Sequence, residues 1–173
     1  HAGSPGPFRE GKGTTFEGGV RVPFVARWAG HIPKGQVAQL PTMNLDVLPT
    51  LAVLAGATVP SERPIDGRSL WPVMSGERGA TAPHEVLYFY WGAELQAVRS
   101  GNWKLHLPHP YQSLEVAGSD GIPGKYFRKE IELSLFDLEK DPAESTNVSA
   151  ANPEIVKRLM EYVERAREDL GDS

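Results

Sequence analysis

The chain has 173 residues, 18 Lys and Arg against 22 Asp and Glu for a formal net charge of -4, and no cysteine. That length suits one domain with a core of its own or a piece of a larger one. The charge balance, with no basic block, argues against a nucleic-acid or anionic-membrane surface. The missing cysteine excludes disulfides and thiolate chemistry within these residues. No apolar run approaches the roughly 18 residues of a membrane helix, which predicts a soluble piece.

His1 is not an initiator methionine, and "HAGSPGPFREGKG" lacks both apolar periodicity and the layout of a signal peptide, so the chain reads as part of a longer protein. Residues 1–19 read as Gly- and Pro-rich loop. "VRVPFVARWAG" then has the composition and length of a strand, at an edge because Pro23 lacks a ladder donor. "NLDVLPTLAVLAGA" predicts a short buried helix capped by Asn44, with Leu48, Leu51, Ala52 and Ala55 on one face, Pro49 near its first turn and a stop at Gly56. "TVPSERPIDGRSLWPVMSGERGATAP" is an irregular connector pinned by Leu70, Trp71, Val73 and Met74, and it marks the boundary between residues 1–80 and 81–173.

Beyond it, "EVLYFYWG", "LQAVR" and "NWKLHL" predict three antiparallel strands, with a turn at Ser100-Gly101-Asn102. Leu133 to Leu138 predicts a fourth, ended at Asp141-Pro142. The last element is a helix capped by Asn152, with Pro153 at its first position, Ile155, Leu159, Tyr162, Ala166 and Leu170 on one face, and Gly171 past its end. The terminal helix is expected to cover the strands.

Lys12, between two glycines in "GKGTTFEGGVRVP", poses the chemical question. Gly6 to Lys12 fits the spacing of a phosphate loop, but Gly13 stands where Ser or Thr must hold magnesium, and no strand precedes it or helix pattern follows it. The open alternatives are a solvated loop charge and a lysine aimed at an anion, which flanking glycines would let approach the main chain. Two histidines follow the strand "NWKLHL". His106 alternates with leucines and is expected to face out of the sheet, whereas His109, between prolines, is expected in a rigid loop. His31 and His84 are expected at the surface in turns.

Taken together, "GKGTTFEGGVRVPFVARWAGHIPKG", "LDVLPTLAVLAGATVP", "IDGRSLWPVMSG", "AVRSGNWKLHL" and "LFDLEKDPAESTNV" resemble the C-terminal part of the type I sulfatases, of the arylsulfatase A and N-acetylgalactosamine-6-sulfatase kind. The resemblance covers nearly the whole chain in order. It implies an alkaline-phosphatase-like α/β fold, with residues 1–80 as the tail of the large catalytic domain and 81–173 as a small subdomain of about four antiparallel strands and a packing helix.

It also implies sulfate-ester hydrolysis by a formylglycine nucleophile made from a C/S-x-P-x-R motif, with calcium held by Asp and Asn. Neither the nucleophile motif nor that ligand set is in these residues, so the chain alone is expected to be inactive and to hold no metal. By the same resemblance Lys12 contacts the sulfate and acts as a catalytic cation, and His109 and His106 are candidate substrate contacts at the pocket rim. Glu17 and Arg21 are expected to be partners that hold the loop, and the acidic residues of "DLEKDPAESTNV" to be caps and turn formers. The implied partners are a sulfated small molecule or sugar and the missing N-terminal part. The implied setting is periplasmic, secreted or lysosomal. The alternative readings are a non-catalytic module for sulfated or phosphorylated ligands and another hydrolase of the alkaline-phosphatase superfamily.

Overall fold

A computed structural model describes residues 4–58, 62–116, 118, 119, 122 and 124–172. In chain order the elements are α1 (Glu17–Val20), a 3-10 turn (Asn44–Asp46), α2 (Val47–Leu54), α3 (Trp71–Met74), β1 (Leu87–Trp91), β2 (Glu94–Ser100), β3 (Trp103–His106), β4 (His109–Val116), β5 (Lys125–Ile131), β6 (Ser134–Asp137), a second 3-10 turn (Ser149–Ala151) and α4 (Pro153–Leu170). Contacts divide them into two compact units, one of residues 1–22 with 86–173 and one of residues 23–85. No described helix is long and apolar enough to cross a membrane.

In the first unit β1, β2, β3 and β6 form an antiparallel sheet in that order. Its two faces follow from the period-2 alternation of side chains. Val98, Leu105 and Leu135 are cross-strand neighbours on one face, where they join Leu159, Tyr162, Val163 and Ala166 of α4 in a buried cluster. Burying each large apolar side chain is worth roughly 1.5–3 kcal/mol, so this face anchors the helix. The helix runs between its expected ends, with Gly171 in the left-handed region at φ 84. Asn152 makes no side-chain cap; its amide donates instead to the Val148 carbonyl at 2.9 Å. Leu170, expected on the buried face, is exposed, although the next two residues still bond the sheet: Tyr90 Oη donates to the Gly171 carbonyl and the Leu95 N–H to the Asp172 carboxylate.

The opposite face carries Arg99, Lys104 and Phe136 as one row and Ala97, His106 and Ser134 as the next. This face is also covered: Lys104 and His106 have no solvent exposure, and Phe16 packs with Phe136, Tyr111 and Ile131. A second sheet, β4 with β5, supplies Tyr111 and Ile131.

In the second unit, Pro49 stands in the first turn of α2, as its missing N–H requires, and Gly56 closes the helix at φ 66. Asn44 is not the cap; it lies inside the 3-10 turn, which Met43 precedes. The expected buried stripe is corrected too. Leu48 and Leu51 are exposed, and the buried residues of α2 are Pro49 and Thr50. Thr50 Oγ1 donates to the Asp46 carbonyl at 2.6 Å and accepts from the Leu70 N–H at 2.7 Å, which draws the polar side of the helix inward. The carboxylate of fully buried Asp46 accepts from the N–H groups of Met43 and Arg68 and meets His84 Nε2 at 2.5 Å. His84 is therefore a partly buried structural ligand rather than a free surface side chain.

The strand expected over "VRVPFVARWAG" does not form. Residues 21–28 have no ladder partner among the described residues, and Val22, Phe24 and Val25 are exposed. A strand needs a neighbour for its backbone groups, and composition alone cannot supply one. Leu70 and Val73 are buried as expected, and residues 59–61 of the connector lie outside the described residues.

Candidate functional site

The segment from Arg9 to Arg21 is a loop closed on itself. The Gly18 N–H donates to the Arg9 carbonyl at 2.9 Å, and Thr14 donates to the Gly11 carbonyl from both its N–H and its Oγ1, at 3.2 and 3.0 Å. Lys12 and Gly13 form the exposed crest, and Gly13 adopts φ 100, a region that side chains resist. Below the crest, Thr14, Thr15, Phe16 and Glu17 are buried. Gly18 and Gly19 let the chain turn back, since a Cβ at either would strike the Arg9 or the Thr14 carbonyl oxygen. The ammonium of Lys12 makes no ion pair or hydrogen bond with any described residue.

The base of the loop rests on a buried charge cluster. Glu17 Oε1 lies 3.0 Å from Lys104 Nζ, and Glu17 Oε2 lies 3.1 Å from Arg99 Nη1. Arg21, expected as a partner of Glu17, reaches it only at 3.9 Å, and its guanidinium lies over the Phe8 ring at 4.5 Å. Glu144 completes the cluster. Its Oε1 meets His106 Nε2 at 2.8 Å and Lys104 Nζ at 3.1 Å, and its Oε2 accepts the Glu17 N–H at 2.6 Å. Two carboxylates thus face Lys104 and Arg99, so the desolvated charges are paired and hydrogen-bonded, which burial demands. Burial alone would push the Glu144 carboxyl up; the His106 hydrogen bond and the Lys104 ammonium outweigh it and hold it below the usual range.

The two candidate histidines come together beneath the loop, 5.6 Å apart with rings 24° from parallel. His106 is not directed to solvent: its ring stacks on Phe16 at 4.6 Å, and burial pushes its pKa down to about 4 against the opposing pull of Glu144. His109 is not in a loop; it is the buried first residue of β4, its Nδ1 2.7 Å from the Leu107 carbonyl, and burial lowers its pKa as well. Both are neutral at pH 7, donating Nε2–H to Glu144 and Nδ1–H to Leu107, the partners that accept. Their other nitrogens, His106 Nδ1 and His109 Nε2, are buried with no hydrogen-bond partner among the described residues. Phe16 packs against both rings, and Lys12, exposed on the crest, makes no hydrogen bond with either.

Glu144 is the residue that sequence reasoning misplaced. In "DPAESTN" the acidic residues read as turn formers, and Asp141 is one, accepting from the N–H groups of Ser145 and Thr146 and from Ser145 Oγ. Glu144 is fully buried with a φ of 49, and nothing in hydropathy marks one glutamate of a polar turn as a core residue.

Comparison with known proteins bears on this loop and sheet together. The family described as the C-terminal region of aryl-sulfatase matches residues 82–173, and that of N-sulphoglucosamine sulphohydrolase, C-terminal, matches residues 10–107. The chain belongs to the sulfatase family. It is 36% identical to human steryl-sulfatase over 98% of its own length and 32% of that protein, and 38% identical to human arylsulfatase A over 91% and 32%. In three dimensions it matches the PsFucS1 sulfatase from Pseudoalteromonas sp. with a TM-score of 0.74 and 26% identity, over 92% of this chain and 32% of that one. It therefore spans about a third of the length of these sulfatases. The four-stranded sheet and α4 are the C-terminal subdomain of their alkaline-phosphatase-like α/β fold.

Proposed function

We propose that this chain is the C-terminal part of a sulfate-ester hydrolase in which Lys12 is the catalytic cation that contacts the sulfuryl group. The supporting observation is an exposed, unpaired ammonium at the crest of a loop whose base is buried and ionically fastened. A surface charge needs no such foundation; a cation that must point one way does. When a sulfate ester is hydrolysed the S–O bond to the alcohol breaks, and negative charge shifts between the sulfuryl oxygens and the leaving oxygen. A fixed ammonium stabilises that charge without reorganising at the moment of reaction.

Formylglycine would supply the nucleophile, and calcium a Lewis acid. The residues of this chain fit neither group: C/S-x-P-x-R is absent, and no three or more Asp, Glu or His among the described residues are placed to hold a metal ion. Both belong, in this reading, to an N-terminal part that precedes these residues. Within the whole protein, residues 1–80 form the tail of the large α/β domain and 81–173 the subdomain on which the Lys12 loop rests. The substrate is a sulfated small molecule or sugar, and the setting is periplasmic, secreted or lysosomal. His106 and His109 are assigned to the foundation of the loop rather than to substrate, because both are sealed beneath Phe16.

The test is Lys12→Ala in the full-length protein. With an aryl sulfate, kcat should fall about 10²–10³-fold, the usual cost of losing one transition-state donor, with an unchanged melting temperature. Lys12→Arg should rescue poorly, since a planar fork places its charge elsewhere. Lys34→Ala, at an exposed turn, is the control. Equal and small effects at Lys12 and Lys34 would reduce Lys12 to a surface charge.

A further inference from the structure

The loop that carries Lys12 meets one distant residue at both of its feet. Arg9 donates from Nη1 to the main-chain oxygen of Glu144 at 2.7 Å, and the main-chain N–H of Glu17 donates to the Glu144 carboxylate at 2.6 Å. Arg9 and Glu17 straddle Lys12, and the Gly18 N–H bond to the Arg9 carbonyl ties the two feet to each other. Arg9 is fixed further by Tyr111 Oη at 3.0 Å and by the Phe16 ring, 4.3 Å below its guanidinium.

Glu144 is itself held in an unusual way. A non-glycine residue in the left-handed region costs free energy, and such residues persist where the surroundings over-determine them. Here the surroundings are the Asp141 turn on one side and Lys104 and His106 on the other. The result aims both the carbonyl and the carboxylate of one residue at the loop.

We propose that Glu144 is a positioning residue for Lys12, fixing the direction of its ammonium by clamping Arg9 and Glu17 while touching no substrate. The inference rests on the assignment of Lys12 to the sulfuryl group. A residue that served only the fold would change the amount of folded protein, and its effect would not depend on Lys12. A positioning residue acts through Lys12 and loses its effect on turnover when the ammonium is gone.

The experiment is a double-mutant cycle in the full-length protein with p-nitrophenyl sulfate, rates being normalised to folded protein measured by circular dichroism. Glu144→Gln should lower kcat about tenfold to a hundredfold with Lys12 present, the scale of an ångström-sized misplacement, and by less than about twofold in the Lys12→Ala background. Should Glu144→Gln not fold, Arg9→Met, which removes one foot of the clamp and leaves the carboxylate cluster intact, enters the same cycle with the same expectation. A folded Glu144→Gln or Arg9→Met protein with wild-type kcat, or with an equal loss in both backgrounds, overturns the inference alone. A Lys12→Ala protein with wild-type kcat overturns the reading of Lys12 and this inference with it.

Discussion

The ring of Phe16 lies on the ring of His106, 4.6 Å between centroids and 22° between planes. The contact seals an imidazole that faces Glu144, Lys104 and His109, and burial keeps it neutral down to a pKa of about 4 from an ordinary 6.5. Between those values the unfolded chain binds a proton that the native protein refuses. Acidification through that window therefore favours unfolding, by up to roughly 3 kcal/mol, and the effect levels off below the folded pKa. Glu144, whose folded pKa is depressed, adds a loss of the same sign at lower pH, beginning near the ordinary carboxylate range. Urea midpoints of the full-length protein measured from pH 7.5 to 4 should fall, and His106→Gln, which keeps a donor toward Glu144, should flatten the upper part of that slope. An identical slope in the variant would show that His106 is not the titrating group.

The glycines of "GKGTTFEGG" separate by mechanism. Gly11 has open space around a Cβ and an ordinary φ, so Gly11→Ala should change stability by less than about 0.5 kcal/mol. Gly13, at φ 100, should cost about 1–2 kcal/mol as Ala through the backbone alone. Gly19→Ala should be the most damaging, because its Cβ meets the main-chain oxygen of Thr14 and the loop must open to admit it. Thermal melts of the three variants rank them; equal tolerance at Gly11 and Gly19 would contradict the closed loop.

Phe16 is the cap of the buried layer, without solvent exposure and in contact with His106, Tyr111 and Arg9. Phe16→Ala should destabilise by about 3–5 kcal/mol, as large aromatic deletions in cores do. Phe16→Leu should recover much of that. Denaturant titration reads both, and a loss under about 1 kcal/mol for Ala would mean the loop does not depend on this packing.

The sequence shows the four-stranded sheet and α4 because both obey a single period, with Pro153 and Gly171 marking the helix ends. It conceals β4 and β5 for a physical reason. In β4 the buried positions are His109, Tyr111 and Ser113, and the outward ones include Leu114, so polarity and burial run out of phase. Lys104 and His106 mislead in the same manner, since a charged residue alternating with leucine in a strand signals a solvated face. Their partners, Glu17 and Glu144, sit 87 and 38 positions away in the chain. The wording of its loop made Lys12 a candidate, but the buried foundation of that loop was not legible, because an ion pair across such separations leaves no local pattern.

The charge of Lys104 should matter more than its size. Its ammonium is without solvent exposure and is shared by Glu17 at 3.0 Å and Glu144 at 3.1 Å, while the Phe89 ring lies 4.8 Å away. Lys104→Met keeps the length of the side chain and removes the cation, leaving Glu17 with the partly buried Arg99 at 3.1 Å and Glu144 with no charged partner among the described residues. Breaking a buried pair from one side costs about 3–5 kcal/mol, since the orphaned charge must stay desolvated or take up a proton. Adding Glu144→Gln to Lys104→Met removes the orphaned charge, so the double variant should be more stable than Lys104→Met alone. Its folding free energy by urea titration is the measurement. Additive losses in the double variant would mean that Lys104 and Glu144 contribute independently, and the ionic base proposed for the Lys12 loop would then have no coupling to hold it.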